Sequence, residues 1–206
     1  VALGADLLSE QATAALVGQA AGAIGRPLTL LINNASIFEY DTIESATMES
    51  WDRAIGSNLR APFQLSQAFA AQAPEPVRDG QGEPLAQAAI INMIDMRVRK
   101  PTPEFMTYSI AKAGLWAFTQ TAAQGLAPKV RVNGIGPGPT MQGVRQSAQH
   151  FADQRAATIL ERGSDPGEIC AAMRFILSVP GFTGQLLCMD GGQHLGWKTP
   201  DVLGVE

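Results

Sequence analysis

Cysteine and histidine are scarce in this chain, two of each in 206 residues. Cys170 stands beside Ala171 and Ala172, and Cys188 follows Leu186 and Leu187. Lone cysteines in apolar company read as buried free thiols, which argues against a disulfide or a thiolate metal pair. His150 and His194 lie far apart with no ligand spacing around them, so no metal site is expected. Charge is sparse as well. Charged residues make up 17 %, the net charge is -4 and the pI is near 5.2. Without a basic excess, nucleic acid and anionic membrane surfaces are excluded as main partners. No apolar run reaches the ~18 residues that a membrane span needs. The opening VALGADLLSE lacks the basic-then-apolar order of a signal peptide, so a cytoplasmic location is the expectation.

Apolar residues are plentiful, at 46 %, and a chain of this length can bury a substantial core as one α/β domain. Four short apolar runs bounded by turn residues read as buried strands: Leu28–Asn33, Ala88–Ile94, Lys129–Ile135 and Gln185–Met189. Helical spacing fills the intervals. Ser9 can cap a helix that runs to Ile24 and stops at Gly25. A second helix spans Met48 to Ala73, a third runs from Thr107 to Leu126, and a fourth, capped by Asp165, spans Pro166–Leu177. Pro74–Leu85 reads as a polar, mobile loop, Phe151–Leu160 as an amphipathic stretch, and the tail His194–Glu206 has no periodicity. Alternation of strands and helices predicts βαβ units and a mainly parallel sheet covered on both faces.

Ligands of open parallel sheets bind beyond the carboxyl ends of the strands. Three unusual segments lie there: Asn34-Ala35-Ser36-Ile37-Phe38, Asp95-Met96-Arg97 and Gly136-Pro137-Gly138-Pro139-Thr140. Turn chemistry accounts for the Asn, Gly and Pro residues. It does not account for a carboxylate directly after INMI, or for Phe38 left in a polar loop. On the third helix, Tyr108 and Lys112 are four residues apart and share a face. An ammonium beside a phenol favours the phenolate, lowering a pKa that starts near ~10 towards a working range for proton transfer.

Taken together, the motifs resemble the short-chain dehydrogenase/reductase family, from the end of that family's third strand to its C-terminus. NNAS at 33–36, Asn58 in SNLRAPF, the Tyr108/Lys112 pair, RVNGIGPGPT at 131–140 and MDGG at 189–192 occur in the family's order. The resemblance implies a doubly wound, Rossmann-type α/β sheet and a nicotinamide cofactor. Asn34, Ala35, Ser36, Lys112, Pro137, Gly138 and Thr140 would line that cofactor, with Asp6 at its adenine end. Asn58, Tyr108 and Lys112 would be the catalytic set. Pro62 cannot donate to the carbonyl of residue 58, so the helix is expected to kink and leave that acceptor free for a water.

Two departures from the family pattern stand out. The strand, the TGxxxGxG turn, the helix and the second strand that open the family do not occur, so residues 1–206 read as a single domain whose N-terminal strands are missing. The phosphate-cradling turn belongs to that part, as do the determinants of NADPH over NADH. The second departure is Asp95, where the family places serine. Pteridine reductases and the related dihydromonapterin and dihydrofolate reductases carry aspartate there, together with an NNAS-x-F sequence whose aromatic stacks on the pterin. That narrower resemblance makes NADPH the expected cofactor and implies a substrate site of Phe38, Asp95 and Tyr108. A carboxyl group can donate to or accept from a ring nitrogen, and a flat ring suits a Phe face.

The expected function is therefore reduction of a pterin or dihydrofolate-like ring by NAD(P)H, with Tyr108, tuned by Lys112, providing the proton to the ring nitrogen through Asp95 or water, so that Asp95 joins the catalytic set. Two alternatives stand beside it: a ketone or secondary-alcohol oxidoreductase of the same family, and a non-catalytic paralogue that senses nucleotide redox state. By resemblance the chain would form a homodimer or homotetramer, through the helices carrying Asn58 and Tyr108, with the tail around Trp197 packing on a neighbour.

Overall fold

A computed structural model describes residues 1–202. Helix α1 spans Glu10–Ile24, with the Ser9 hydroxyl accepting from the Ala12 N–H at its start and Gly25, at φ 68°, closing it. Strand β1 is Leu30–Asn33. Next come α2 (Met48–Ile55), a π turn at Gly56–Arg60 and α3 (Ala61–Gln72) as one continuous helical path. The kink expected at Pro62 is absorbed by that π turn, in which the Ala61 N–H reaches back to the Gly56 carbonyl.

Strands β2 (Val77–Arg78) and β3 (Pro84–Leu85) form a small antiparallel hairpin in the segment expected to be a mobile loop. The Asp79 carboxylate accepts from the Gln81 and Glu83 N–H groups and closes its turn. Strand β4 is Ala88–Met93, α4 is Met106–Leu126 and β5 is Val130–Pro137. Helices α5 (Ala148–Ala156) and α6 (Pro166–Ser178) precede β6 (Leu186–Met189). The four long strands pair in the order β1-β4-β5-β6, all parallel. Residues 5–7, around the Asp6 assigned to the cofactor's adenine end, pair with no strand among the described residues.

Alternation along β4 and β5 builds two cores. Ile90, Val130 and Val132 face Val17 of α1, Leu65 and Phe69 of α3, and Ala122 and Ala123 of α4. Ile91, Met93 and Ile135 face Ile169, Ala172 and Ile176 of α6. Helices therefore cover both faces of the sheet, and β4, buried at every position, lies at its centre. On α6, Ile169 turns inward, so its neighbour Cys170 points to solvent. The buried-thiol expectation fails there, and Cys188 is half-buried. No described helix is long and apolar enough to cross a membrane.

Helix α4 begins without a cap of its own. Phe105, at φ 55°, occupies the N-cap position with no side-chain hydrogen bond. The buried carboxylate of Asp41 substitutes, accepting from the Thr107 N–H at 3.2 Å and the Thr107 hydroxyl at 2.6 Å, while the Asp41 carbonyl accepts from the Phe105 N–H at 2.8 Å. Asp41→Ala strands these donors. The variant is expected to lose about 2 kcal/mol of unfolding free energy, read from the urea midpoint, and Asp41→Asn, which retains one acceptor, should lose less.

Candidate active site

Just past the carboxyl end of β4, the Tyr108 hydroxyl in the first turn of α4 donates to Asp95 Oδ2 at 2.8 Å. Asp95 Oδ1 accepts the Arg97 N–H at 2.8 Å, so both carboxylate oxygens are aimed. One turn along α4, the buried Lys112 ammonium donates to the Met93 carbonyl at 2.7 Å and lies 5.6 Å from the Tyr108 ring centroid. Tyr108, Lys112 and Asp95 thus come together as the sequence implied.

Their electrostatics differ from the sequence expectation. Burial pushes the Tyr108 phenol well above its ordinary value, and the Asp95 charge and hydrogen bond push it further. The Lys112 ammonium donates to the Met93 carbonyl, and the group that accepts the phenolic hydrogen bond is the Asp95 carboxyl. Burial also raises the Asp95 carboxyl, against the opposing pull of the Arg97 N–H and the phenol. Burial lowers Lys112 to about 8, opposed by Asp95. The site therefore holds a neutral phenol donating to a carboxyl group that takes up a proton readily.

Asn58 works through its side chain. Fully buried at the π turn, its Oδ1 accepts from the Ser36 hydroxyl at 2.7 Å and the Ile37 N–H at 3.2 Å, and its Nδ2 donates to the Ile37 carbonyl at 2.9 Å. It clamps the loop that presents Phe38 and is a positioning residue. Phe38 is 42 % exposed, and its ring lies 4.7 Å from Tyr108, edge-on at 72°. Phe105 stacks on Phe38 at 4.2 Å and 7°, an aromatic partner the sequence did not reveal. Its signal was weak: a single Phe after a Pro-rich loop.

The residues assigned to a cofactor fall in two places. Asn34 and Ala35 lie exposed past β1 and line an apolar groove of about 280 Å³ along that strand's outer edge, with Leu7 and Ser57. Among the described residues Asn33 Oδ1 is buried there without a hydrogen-bond partner. Pro137 ends β5 and Gly138 and Thr140 follow it; the Gly138 N–H donates to the Met189 carbonyl and the Thr140 hydroxyl to the Gly138 carbonyl. A Cβ at Gly138 would lie 2.7 Å from the Asp190 Cα, so only glycine fits. Asp6 is exposed and accepts from the Leu8 N–H at the start of α1; it is not gathered with Tyr108. Open backbone at two strand ends and an unpartnered buried amide oxygen fit a polar, elongated ligand such as a nicotinamide nucleotide.

The chain is similar to known proteins along nearly all of its length. The sequence profile of the family described as Enoyl-(Acyl carrier protein) reductase matches residues 1–194. An uncharacterized oxidoreductase of Mycobacterium tuberculosis is 32 % identical over 207 residues, covering 96 % of this chain and 75 % of the relative. An acetoacetyl-CoA reductase of Acinetobacter is 29 % identical, covering 92 % and 75 %. Among solved structures, the FolM alternative dihydrofolate reductase 1 from Brucella suis, in complex with NADP, superposes with a TM-score of 0.88 at 37 % identity, over 98 % of this chain and 76 % of that one.

The Lys112 environment predicts a pH effect on stability. Its folded pKa, about 8, lies below the ordinary 10.5. Between those values the unfolded chain binds a proton that the folded chain does not, so this group adds stability as pH rises through 8. Thermal melts of the parent and Lys112→Met should show the parent gaining on the variant between about pH 7.5 and pH 9.5. Parallel curves would mean that Lys112 is not desolvated.

Proposed function

This chain belongs to the short-chain dehydrogenase/reductase family, a family of oxidoreductases, and from that premise we propose that it uses NADPH to reduce a pterin or dihydrofolate-like ring. The observation that carries the reading is the 2.8 Å contact between Tyr108 and Asp95, beside the exposed ring of Phe38. A carboxyl group of raised pKa, steered by a phenol, is suited to a ring nitrogen. The NADP held by the Brucella suis dihydrofolate reductase supports the choice of cofactor.

Asn34, Ala35, Ser36, Lys112, Pro137, Gly138 and Thr140 would hold the nucleotide, with Asp6 towards its adenine end. When bound, the nicotinamide supplies the hydride. The rest falls to the chain. Phe105 takes one face of Phe38, and a substrate ring would lie against what remains exposed. Asp95 in its protonated form gives its proton to the ring nitrogen: an O–H bond breaks and an N–H bond forms. The carboxylate left behind is stabilised by the Tyr108 hydroxyl and the Arg97 N–H, both already in place. The buried Lys112 ammonium adds positive charge behind the pair.

We read residues 1–206 as one domain whose β1 edge, with Leu30 and Ile32 37 % and 39 % exposed, receives further strands of the same polypeptide. Exposed Trp51, Phe63 and Ile110 support a homodimer or homotetramer formed through α2, α3 and α4.

The second reading, a ketone or secondary-alcohol oxidoreductase, draws on the acetoacetyl-CoA reductase relative. Kinetics separate the two. Tyr108→Phe should lower kcat about 100-fold on either substrate class. Asp95→Ser should lower kcat on a dihydropterin while leaving a small ketone unaffected or better reduced. Phe38→Ala should mainly raise KM for the dihydropterin. A parent enzyme that reduces ketones briskly and ignores dihydropterins would establish the second reading instead.

A further inference from the structure

Two guanidinium groups stand at the Phe38–Phe105 stack. The Arg97 Cζ lies 5.9 Å from the Phe38 centroid and 5.0 Å from that of Phe105, and the Arg145 Cζ lies 5.4 Å and 5.9 Å from the same two. A group above the outer face of either ring would be roughly 8 Å from the other centroid. Both arginines therefore sit beside the stack and leave its end free. They come from different parts of the chain, Arg97 from the turn after β4 and Arg145 from the segment before α5.

Neither has a carboxylate oxygen within 4.0 Å among the described residues, although Arg53, Arg60 and Arg162 each have one. Arg97 Nη1 donates to the Thr102 hydroxyl at 2.7 Å, and Arg145 Nη2 donates to the Phe38 carbonyl. These bonds orient the groups without neutralising them. Glu104, on the neighbouring loop, accepts from the Tyr40 hydroxyl instead. In a chain of net charge -4, two guanidinium groups without a direct ion-pair partner converge on one aromatic stack, with Asp95 the nearby carboxyl that feels the Arg97 charge. A planar guanidinium matches a carboxylate in two-point fashion, and two of them match a substituent carrying more than one.

We propose that Arg97 and Arg145 recognise carboxylates on the side chain of the substrate, so that the preferred substrate is a reduced pterin bearing an anionic tail and not one with a neutral hydroxylated tail. This rests on the pterin reading above. With the ring beside Phe38 and its nitrogen at Asp95, the substituent leaves the site past the two arginines.

The test compares kcat/KM for dihydrofolate, with two side-chain carboxylates, and 7,8-dihydrobiopterin, whose side chain is neutral, each with NADPH. The parent should favour dihydrofolate. Arg97→Gln and Arg145→Gln should each lower the ratio of the two values about tenfold, and Arg145→Lys should restore part of it. Added salt should lower the parent ratio, because the attraction is ionic. A ratio within about twofold of the parent in both Gln variants, or a parent that favours the neutral pterin, overturns this inference while the pterin reading stands. Reduction of neither pterin, with a ketone turned over, removes both.

Discussion

Asn92 is fully buried on β4, and its amide can be satisfied in one arrangement. It accepts from Asn33 of β1 at 2.7 Å and donates to the Thr119 hydroxyl of α4 at 2.9 Å, and the Thr119 hydroxyl in turn donates to the Leu115 carbonyl. A slip of one residue in the β1–β4 register, or a turn of α4 on its axis, would leave these groups unpaired at about 1–3 kcal/mol each. Apolar packing alone would permit several placements of a helix on an Ile-rich sheet. This chain of amides and hydroxyls selects one, and Asp41 fixes the other end of the same helix. Those two anchors hold the helix that presents Tyr108 against Asp95, which follows β4.

The charges of the site are arranged by burial. Lys112 donates to a main-chain carbonyl of the central strand. The phenol donates to Asp95 and so holds that carboxyl group in orientation. Burial raises the pKa of both members of this pair and lowers that of Lys112. Fixed donors that need not reorganise are the economical way to stabilise a charge that appears during reaction.

Much of this was legible in the sequence. The apolar runs gave β1, β4, β5 and β6 to within two residues, because strands buried on both faces are short, continuous and Val/Ile/Leu-rich. Ser9, Gly25 and Asp165 marked helix ends by local hydrogen bonds that a linear reading can see. What escaped depends on contacts between distant segments. Asp41 follows an ordinary tyrosine and gives no hint that it caps a helix more than sixty residues later. The pairing of Phe38 with Phe105, and the approach of Arg145 to both, are likewise non-local. Spacing within one helix suggested Lys112 as the tuner of Tyr108. The direct hydrogen bond from the phenol to Asp95 is visible only in the fold.

The π turn at Gly56–Arg60 inserts one extra residue into an otherwise regular helical path. Beyond it Ala61, Leu65 and Phe69 turn inward at successive helical turns. Asn58 lies within the π turn, where its side chain holds Ser36 and Ile37 of the loop before Phe38. Pro62 has no N–H with which to rejoin a regular ladder, so the extra residue stays where it is. Loop and core are thus served by separate residues of a single helical path.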